Sequence, residues 1–133
     1  VHDLGISNFV LYTGFLPEGD KIRAYVDSDV VVNVEPLNVY GLVPLEAAAC
    51  STPVIVSKTN AISKMVADGK FGYSVMYDDE VSLAFMLRKI LGSEELAENL
   101  GENGRRYVFN HLGWDKIIEK YEHVYREAVS AKI

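Results

Sequence analysis

Two rhythms of hydrophobic and polar positions alternate along the chain. Short unbroken β-rich runs occupy residues 9–13 (Phe-Val-Leu-Tyr-Thr), 29–34, Val54–Ser57 and 72–76. Runs apolar at successive positions suit strands covered on both faces, as in parallel sheets. Between and after them the apolar spacing changes to three and four, which predicts helices. Asp20 is positioned to cap a helix over 21–26, with Ile22, Tyr25 and Val26 on one apolar face. A helix over 41–50 is apolar nearly all round, which predicts packing on both sides. Pro44 falls in its first turn, where no hydrogen bond is lost. Asn60 caps a helix to about Ala67, ended by Asp68-Gly69, and Asp79 caps another to Leu91, ended by Gly92. Ser93-Glu94-Glu95 opens a further helix with both acids at its positive end. The last helix, from Trp114 to about Val129, carries Trp114, Ile117, Ile118, Tyr121, Val124, Tyr125, Ala128 and Val129 at helical spacing.

Four strands alternating with helices predict an α/β fold: a Rossmann-like, doubly wound parallel sheet of about four strands, flanking helices and a C-terminal helical cap. The whole of 1–133 reads as a single domain, without repeat, low-complexity tract or linker. Ligands of such sheets bind at the carboxyl ends of the strands. The loop 35–40 lies at such an end and leads to Gly41, at the mouth of the 41–50 helix. Helix-mouth N–H groups and the helix dipole favour an anion. Glu46, about one turn further in, is placed to accept hydrogen bonds from ligand hydroxyls, although an acid near a helix N-terminus is also favoured by the dipole alone.

Composition narrows the partners. At 133 residues the chain is long enough for one real core, and 49% hydrophobic with 24% charged residues is an ordinary soluble balance. A net charge of −6 disfavours a broad nucleic-acid surface. The single cysteine, Cys50, has no internal disulfide partner and reads as a small buried residue in a reducing compartment. No apolar run has transmembrane length and no signal pattern opens the chain, so a cytoplasmic location is expected, with peripheral membrane association left open. An opening on Val1 hints at a fragment or a processed chain.

Five stretches resemble one known family: Asn8-Phe-Val-Leu-Tyr-Thr-Gly-Phe-Leu-Pro17; Tyr40-Gly-Leu-Val-Pro-Leu-Glu-Ala-Ala-Ala-Cys50; Thr52-Pro-Val-Ile-Val-Ser57; Asp68-Gly-Lys-Phe-Gly-Tyr73; and the C-terminal run of the Asp79 helix, 101–107 and the Trp114 helix. Together they resemble the C-terminal, donor-binding domain of GT-B retaining glycosyltransferases of the group 1 type (glycosyltransferase family 4). The resemblance implies transfer of a hexose from a nucleotide diphosphosugar, with the nucleotide-sugar a substrate and neither cofactor nor metal required. It implies that Glu46 accepts hydrogen bonds from the ribose hydroxyls. Backbone N–H groups of Gly41, Leu42 and Val43 would face the diphosphate or sugar, and the backbone of Phe15 and Leu16 would lie near the base, with Tyr40 and Asn38 in the same donor site.

The sequence also departs from that pattern. Asn38 stands where the family has its first glutamate, so no catalytic residue is assigned there; asparagine can hydrogen-bond a hydroxyl but cannot act as a base. Ser51 stands where a glycine is usual, Asn60-Ala61 replaces a glycine pair, and Lys64 replaces a glutamate. The resemblance leaves out the acceptor-binding N-terminal domain and the first two strands of the donor domain, which in the family lie between the strands matching 9–13 and 29–34. Either those two runs pair directly, or the missing domain or another subunit fills the gap; an open edge would favour homo-oligomers. The chain alone is accordingly expected to be inactive in transfer. A non-catalytic interaction module is the alternative, and an unrelated flavodoxin-like domain a third reading.

Overall fold

The computed structural model describes residues 2–36 and 41–131. In chain order they form a short 3-10 turn at Ser7–Phe9, α1 (Glu18–Val26), β1 (Val31–Asn33), α2 (Leu42–Ala49), β2 (Val54–Ser57), α3 (Ile62–Gly69), β3 (Gly72–Val75), α4 (Glu80–Leu91), α5 (Glu94–Leu112) and α6 (Trp114–Ser130). The strands make a parallel sheet in the order β1-β2-β3, with Val31 opposite Val54 and Val54 opposite Gly72.

β2 is buried along its whole length, as its unbroken apolar run predicts. Its side chains alternate between two core layers. Val54 and Val56 join Leu45, Ala47 and Ala48 of α2 with Ile62, Val66 and Phe71 on one face. Ile55 joins Val75, Ile90 and Leu100 on the other. Complete burial of one such aliphatic side chain contributes about 1.5–3 kcal/mol.

α5 connects the two layers. Its 19 residues span about 28 Å. Leu96, Ala97 and Leu100 pack into the Ile55 layer, whereas Tyr107, Val108 and Leu112 pack into the Val54 layer. The crossover sits at Gly101, where an added Cβ would lie 2.0 Å from the Ser51 carbonyl oxygen at the entry to β2. One turn on, a Cβ at Gly104 would lie 3.1 Å from that of Ala48. Glycine at 101 is thus required by close approach of α5 to the end of α2.

That end of α2 is a Schellman turn. Ser51 N–H donates to the Ala48 carbonyl and Thr52 N–H to the Ala47 carbonyl, each at 3.0 Å. Ser51 takes the left-handed conformation, φ 64°, that glycine adopts without cost. α3 ends in the same manner, but its left-handed residue is Lys70, φ 51°, rather than Gly69, which stays inside the helix.

Several expectations are corrected. The sheet has three strands among the described residues, not four. Residues 10–17 form no strand, and Phe9, Leu11, Tyr12 and Phe15 are exposed, Phe9 at 88% and Phe15 at 95%. β-propensity without a neighbouring strand to complete the ladder does not make a strand; direct pairing of this run with β1 is not observed. Asp20 caps nothing: α1 begins at Glu18 behind Pro17, and Asp20 lies in the first turn. Asn60 does not cap α3 either: the N-cap position is Ala61, without a side-chain cap, and the Asn60 Nδ2 donates to the Glu35 carbonyl at 3.0 Å. Ile22 and Val26 are exposed, so α1 buries no apolar face of the kind expected. Asp79 and Ser93 do cap α4 and α5, accepting from Ser82 N–H at 2.9 Å and Leu96 N–H at 3.2 Å. The α6 stripe faces outward: Trp114, Ile118, Tyr121, Val124, Tyr125 and Val129 are all exposed.

Gly101→Ala is expected to lower the unfolding free energy by at least about 3 kcal/mol, because backbone rather than a flexible side chain occupies the Cβ position. Ser51→Gly is expected to raise it by about 1 kcal/mol, by relieving the left-handed strain. Urea denaturation of the two variants against the parent checks both.

Candidate functional site

The carboxyl ends of the strands come together around the mouth of α2. Val34, Glu35 and Pro36 leave β1 there and are held to the turn after β2. The Asn60 amide donates to the Glu35 carbonyl at 3.0 Å, and the Thr59 hydroxyl to the Pro36 carbonyl at 3.4 Å. Ser57 and Thr59 hydroxyls are 2.8 Å apart in the same turn. This lacing gives a polar rim to an end of the sheet whose interior is apolar. Beside it, Val34, Val75, Met76, Tyr77, Asp79 and Leu83 line an open cavity of about 170 Å³.

α2 opens onto this rim. Gly41 is buried in an extended conformation, and no side chain caps the helix among the described residues. First-turn N–H groups at a helix mouth of this kind can face an outside acceptor. Leu42 and Val43 are exposed at the mouth, whereas Pro44, Leu45, Ala47 and Ala48 are buried. Burial thus begins within the first turn, at Pro44, and not at the mouth itself. Asn38 and Tyr40 lie outside the described residues. Phe15 is exposed and Leu16 half-buried on the segment leading into α1.

Glu46 is the best-organised polar group of the site. Its Oε1 accepts from Lys21 Nζ at 3.0 Å, and its Oε2 accepts from the Tyr25 hydroxyl at 2.9 Å. The carboxylate-bearing side chain keeps 37% of its surface exposed. Sequence reasoning missed both partners, and it assigned Tyr25 to an apolar helix face. The available signal was that Lys21 and Tyr25 stand four apart on α1 and so share a face. Tyr25 also ties α1 to the end of α2, since its carbonyl accepts from the Thr52 hydroxyl at 2.7 Å.

This cluster shifts two titrations. Burial, then the hydrogen bond to Glu46 and its charge, push the Tyr25 phenol up to about 12 from its ordinary value near 10. The hydrogen bond to Glu46 likewise raises Lys21, against a smaller opposing effect of desolvation.

Other candidates find ordinary surroundings. Cys50 is half-buried at the end of α2. Arg105 lies over the Phe109 ring, 5.1 Å from its centroid, and reaches the Ala49 carbonyl. His111 contacts the Tyr107 carbonyl, and His123 pairs with Glu127 along α6. Among the described residues, no group of three or more His, Cys, Asp and Glu side chains could hold a metal, and no helix is long and apolar enough to cross a membrane.

Comparison with known proteins fits this geometry. The family model of the glycosyl transferases group 1 matches residues 1–107. The chain belongs to that family. Curated relatives include an N-acetyl-alpha-D-glucosaminyl L-malate synthase of Bacillus anthracis, 30% identical over 97% of this chain and 33% of that protein. Another is a D-inositol 3-phosphate glycosyltransferase of Salinispora arenicola, 34% identical over 96% of this chain and 28% of that protein. Sucrose-phosphate synthase from Thermosynechococcus elongatus superposes with a TM-score of 0.84 at 29% identity, over 98% of this chain and 33% of that one. The C-terminal domain of a group 1 glycosyl transferase from Francisella tularensis shares the fold at a TM-score of 0.73 and 24% identity, over 85% of this chain and 58% of that domain. This glycosyltransferase chain therefore resembles a GT-B domain and spans about a third of the length of the curated relatives it matches. A flavodoxin-like identity is set aside by the family match.

The alkaline limb of stability follows from the Glu46 cluster. Both Lys21 and Tyr25 hold their protons more tightly folded than unfolded, so the unfolded chain binds fewer protons as pH rises past about 10. The Tyr25 contribution is complete below that pH and is lost between about 10 and 12, and the Lys21 contribution is likewise lost as pH rises through its raised value. The urea midpoint is expected to fall over this range, and Tyr25→Phe to make the fall shallower.

Proposed function

We propose that this glycosyltransferase domain binds a nucleotide diphosphosugar at the carboxyl ends of its strands, as the donor half of a retaining hexosyltransferase. The observation that carries the reading is the mouth of α2, which no side chain caps among the described residues, with the organised Glu46 carboxylate one turn inside it. A diphosphate would accept from first-turn N–H groups of α2 and is favoured by the dipole. The ribose then reaches Glu46, and the base lies toward Phe15 and Leu16, ahead of the helix that supplies Lys21 and Tyr25. In this reading the protein works by positioning the donor and stabilising the departing phosphate, and uses no metal. Asn38 supplies no base, so transfer does not rest on a carboxylate at that position. The setting is the cytoplasm, where Cys50 stays reduced.

Residues 1–133 act in this reading as one nucleotide-sugar-binding domain, and transfer takes further residues of the kind that make up the remaining two thirds of the relatives. Such residues would carry the acceptor site and cover the outward stripe of α6 and the apolar run around Phe9 and Phe15. That same exposed stripe favours a second reading, a non-catalytic module whose α6 docks on another subunit or a second copy.

Calorimetric titration with UDP, GDP and ADP separates the two. One of them is expected to bind saturably, and Glu46→Gln to weaken it about tenfold, the worth of a hydrogen bond to a charged group. Absence of binding by all three, with stable self-association, would overturn the donor reading in favour of the second.

A further inference from the structure

The two arms that α1 extends to Glu46 have a consequence for selectivity, and it rests on the donor reading above. We infer that Lys21 and Tyr25 are positioning residues that present the Glu46 carboxylate to the two hydroxyls of a ribose, so that the site selects ribonucleotides over deoxyribonucleotides.

A glutamate carboxylate turns almost freely about its last torsion, which is broad and two-fold. Here each oxygen is held by a different donor: Oε1 by the Lys21 ammonium at 3.0 Å and Oε2 by the Tyr25 phenol at 2.9 Å. The two donors fix the plane of the group. An ionised carboxylate accepts about four hydrogen bonds. Two are used, and one acceptor direction remains on each oxygen of a side chain that is 37% exposed. Two parallel acceptors match the two O–H donors of a vicinal diol, whereas a 2′-deoxyribose offers one.

The arms are themselves anchored. Lys21 and Tyr25 lie on successive turns of α1, and the Thr52 hydroxyl holds the Tyr25 carbonyl at 2.7 Å. The α2 end of that link is the turn locked by Gly101. Charge gives a second reason for the lysine. A bare carboxylate one turn from the mouth of α2 would repel a diphosphate held there. The Lys21 ammonium offsets that charge while leaving the acceptor directions open.

The test compares each nucleoside diphosphate that binds with its 2′-deoxy counterpart (UDP with dUDP, GDP with dGDP, ADP with dADP). The parent is expected to prefer the ribose form about tenfold. Tyr25→Phe should reduce that preference to about threefold or less. Lys21→Met should reduce it likewise and weaken both forms, and Lys21→Arg should restore it. Because the two variants loosen different oxygens, and binding is read below each variant's melting temperature, loss of fold in one leaves the other decisive. A merely structural role would weaken ribose and deoxyribose forms alike, and an unchanged ratio in both variants overturns the inference while leaving the donor reading standing. Absence of binding by the parent overturns the donor reading and the inference with it.

Discussion

The close approach of Gly101 to the Ser51 carbonyl is the contact on which the arrangement depends. Among the described residues α5 is the one helix that packs into both core layers, and it passes between them where α2 ends and β2 begins. A side chain there would push α5 away from both layers at once. The glycine allows backbone to meet backbone, so the end of α2 is held by packing as well as by its Schellman turn. A helix of eight residues clamped at one end points its other end in a defined direction. The far end of α2 is its mouth at Gly41, so a contact remote from the candidate site sets the direction of the helix mouth.

The polar counterpart of that clamp is the Glu46 cluster. A carboxylate in the wall of an apolar helix is costly unless it is paired. Lys21 and Tyr25 supply the pairing from α1, and the Thr52 link returns α1 to the turn that α5 holds. One connected path therefore runs from Gly101 through Ser51 and Thr52 to Tyr25 and Glu46. Above it, the bonds from Thr59 and Asn60 to the chain leaving β1 hold the other wall of the site. The site is shaped by backbone lacing at both ends of the strands, with few charged groups involved.

Legibility in the sequence followed the range of the interactions. β2, with its four apolar or small residues in a row, was readable because burial on both faces leaves no polar position. The caps at Asp79 and Ser93 were readable because they act over three residues. Asn60 has the same local chemistry as a cap and yet serves a carbonyl 25 residues away, and nothing local distinguishes the two uses. The run at 9–13 has the composition of a strand, but a strand is made by its neighbours, and none stands beside it among the described residues. Ser51 was visible as a departure from glycine; that it pays for its place with a left-handed backbone was not.

For the candidate site, the order of residues alone determined that a helix mouth at Gly41 follows a strand end, with Glu46 one turn inside. It also determined the family, because the spacing of Gly41, Pro44, Glu46 and the β2 run is a matter of chain order. Only the tertiary structure decided that Glu46 has two partners, which they are, and which oxygen each one holds. Lys21 and Tyr25 are 25 and 21 residues away, on a helix whose periodicity suggested a different face for Tyr25. Spacing along a chain specifies which groups share one element. Which elements then meet depends on the volume between them, here fixed by a glycine 55 residues beyond the carboxylate it helps to aim.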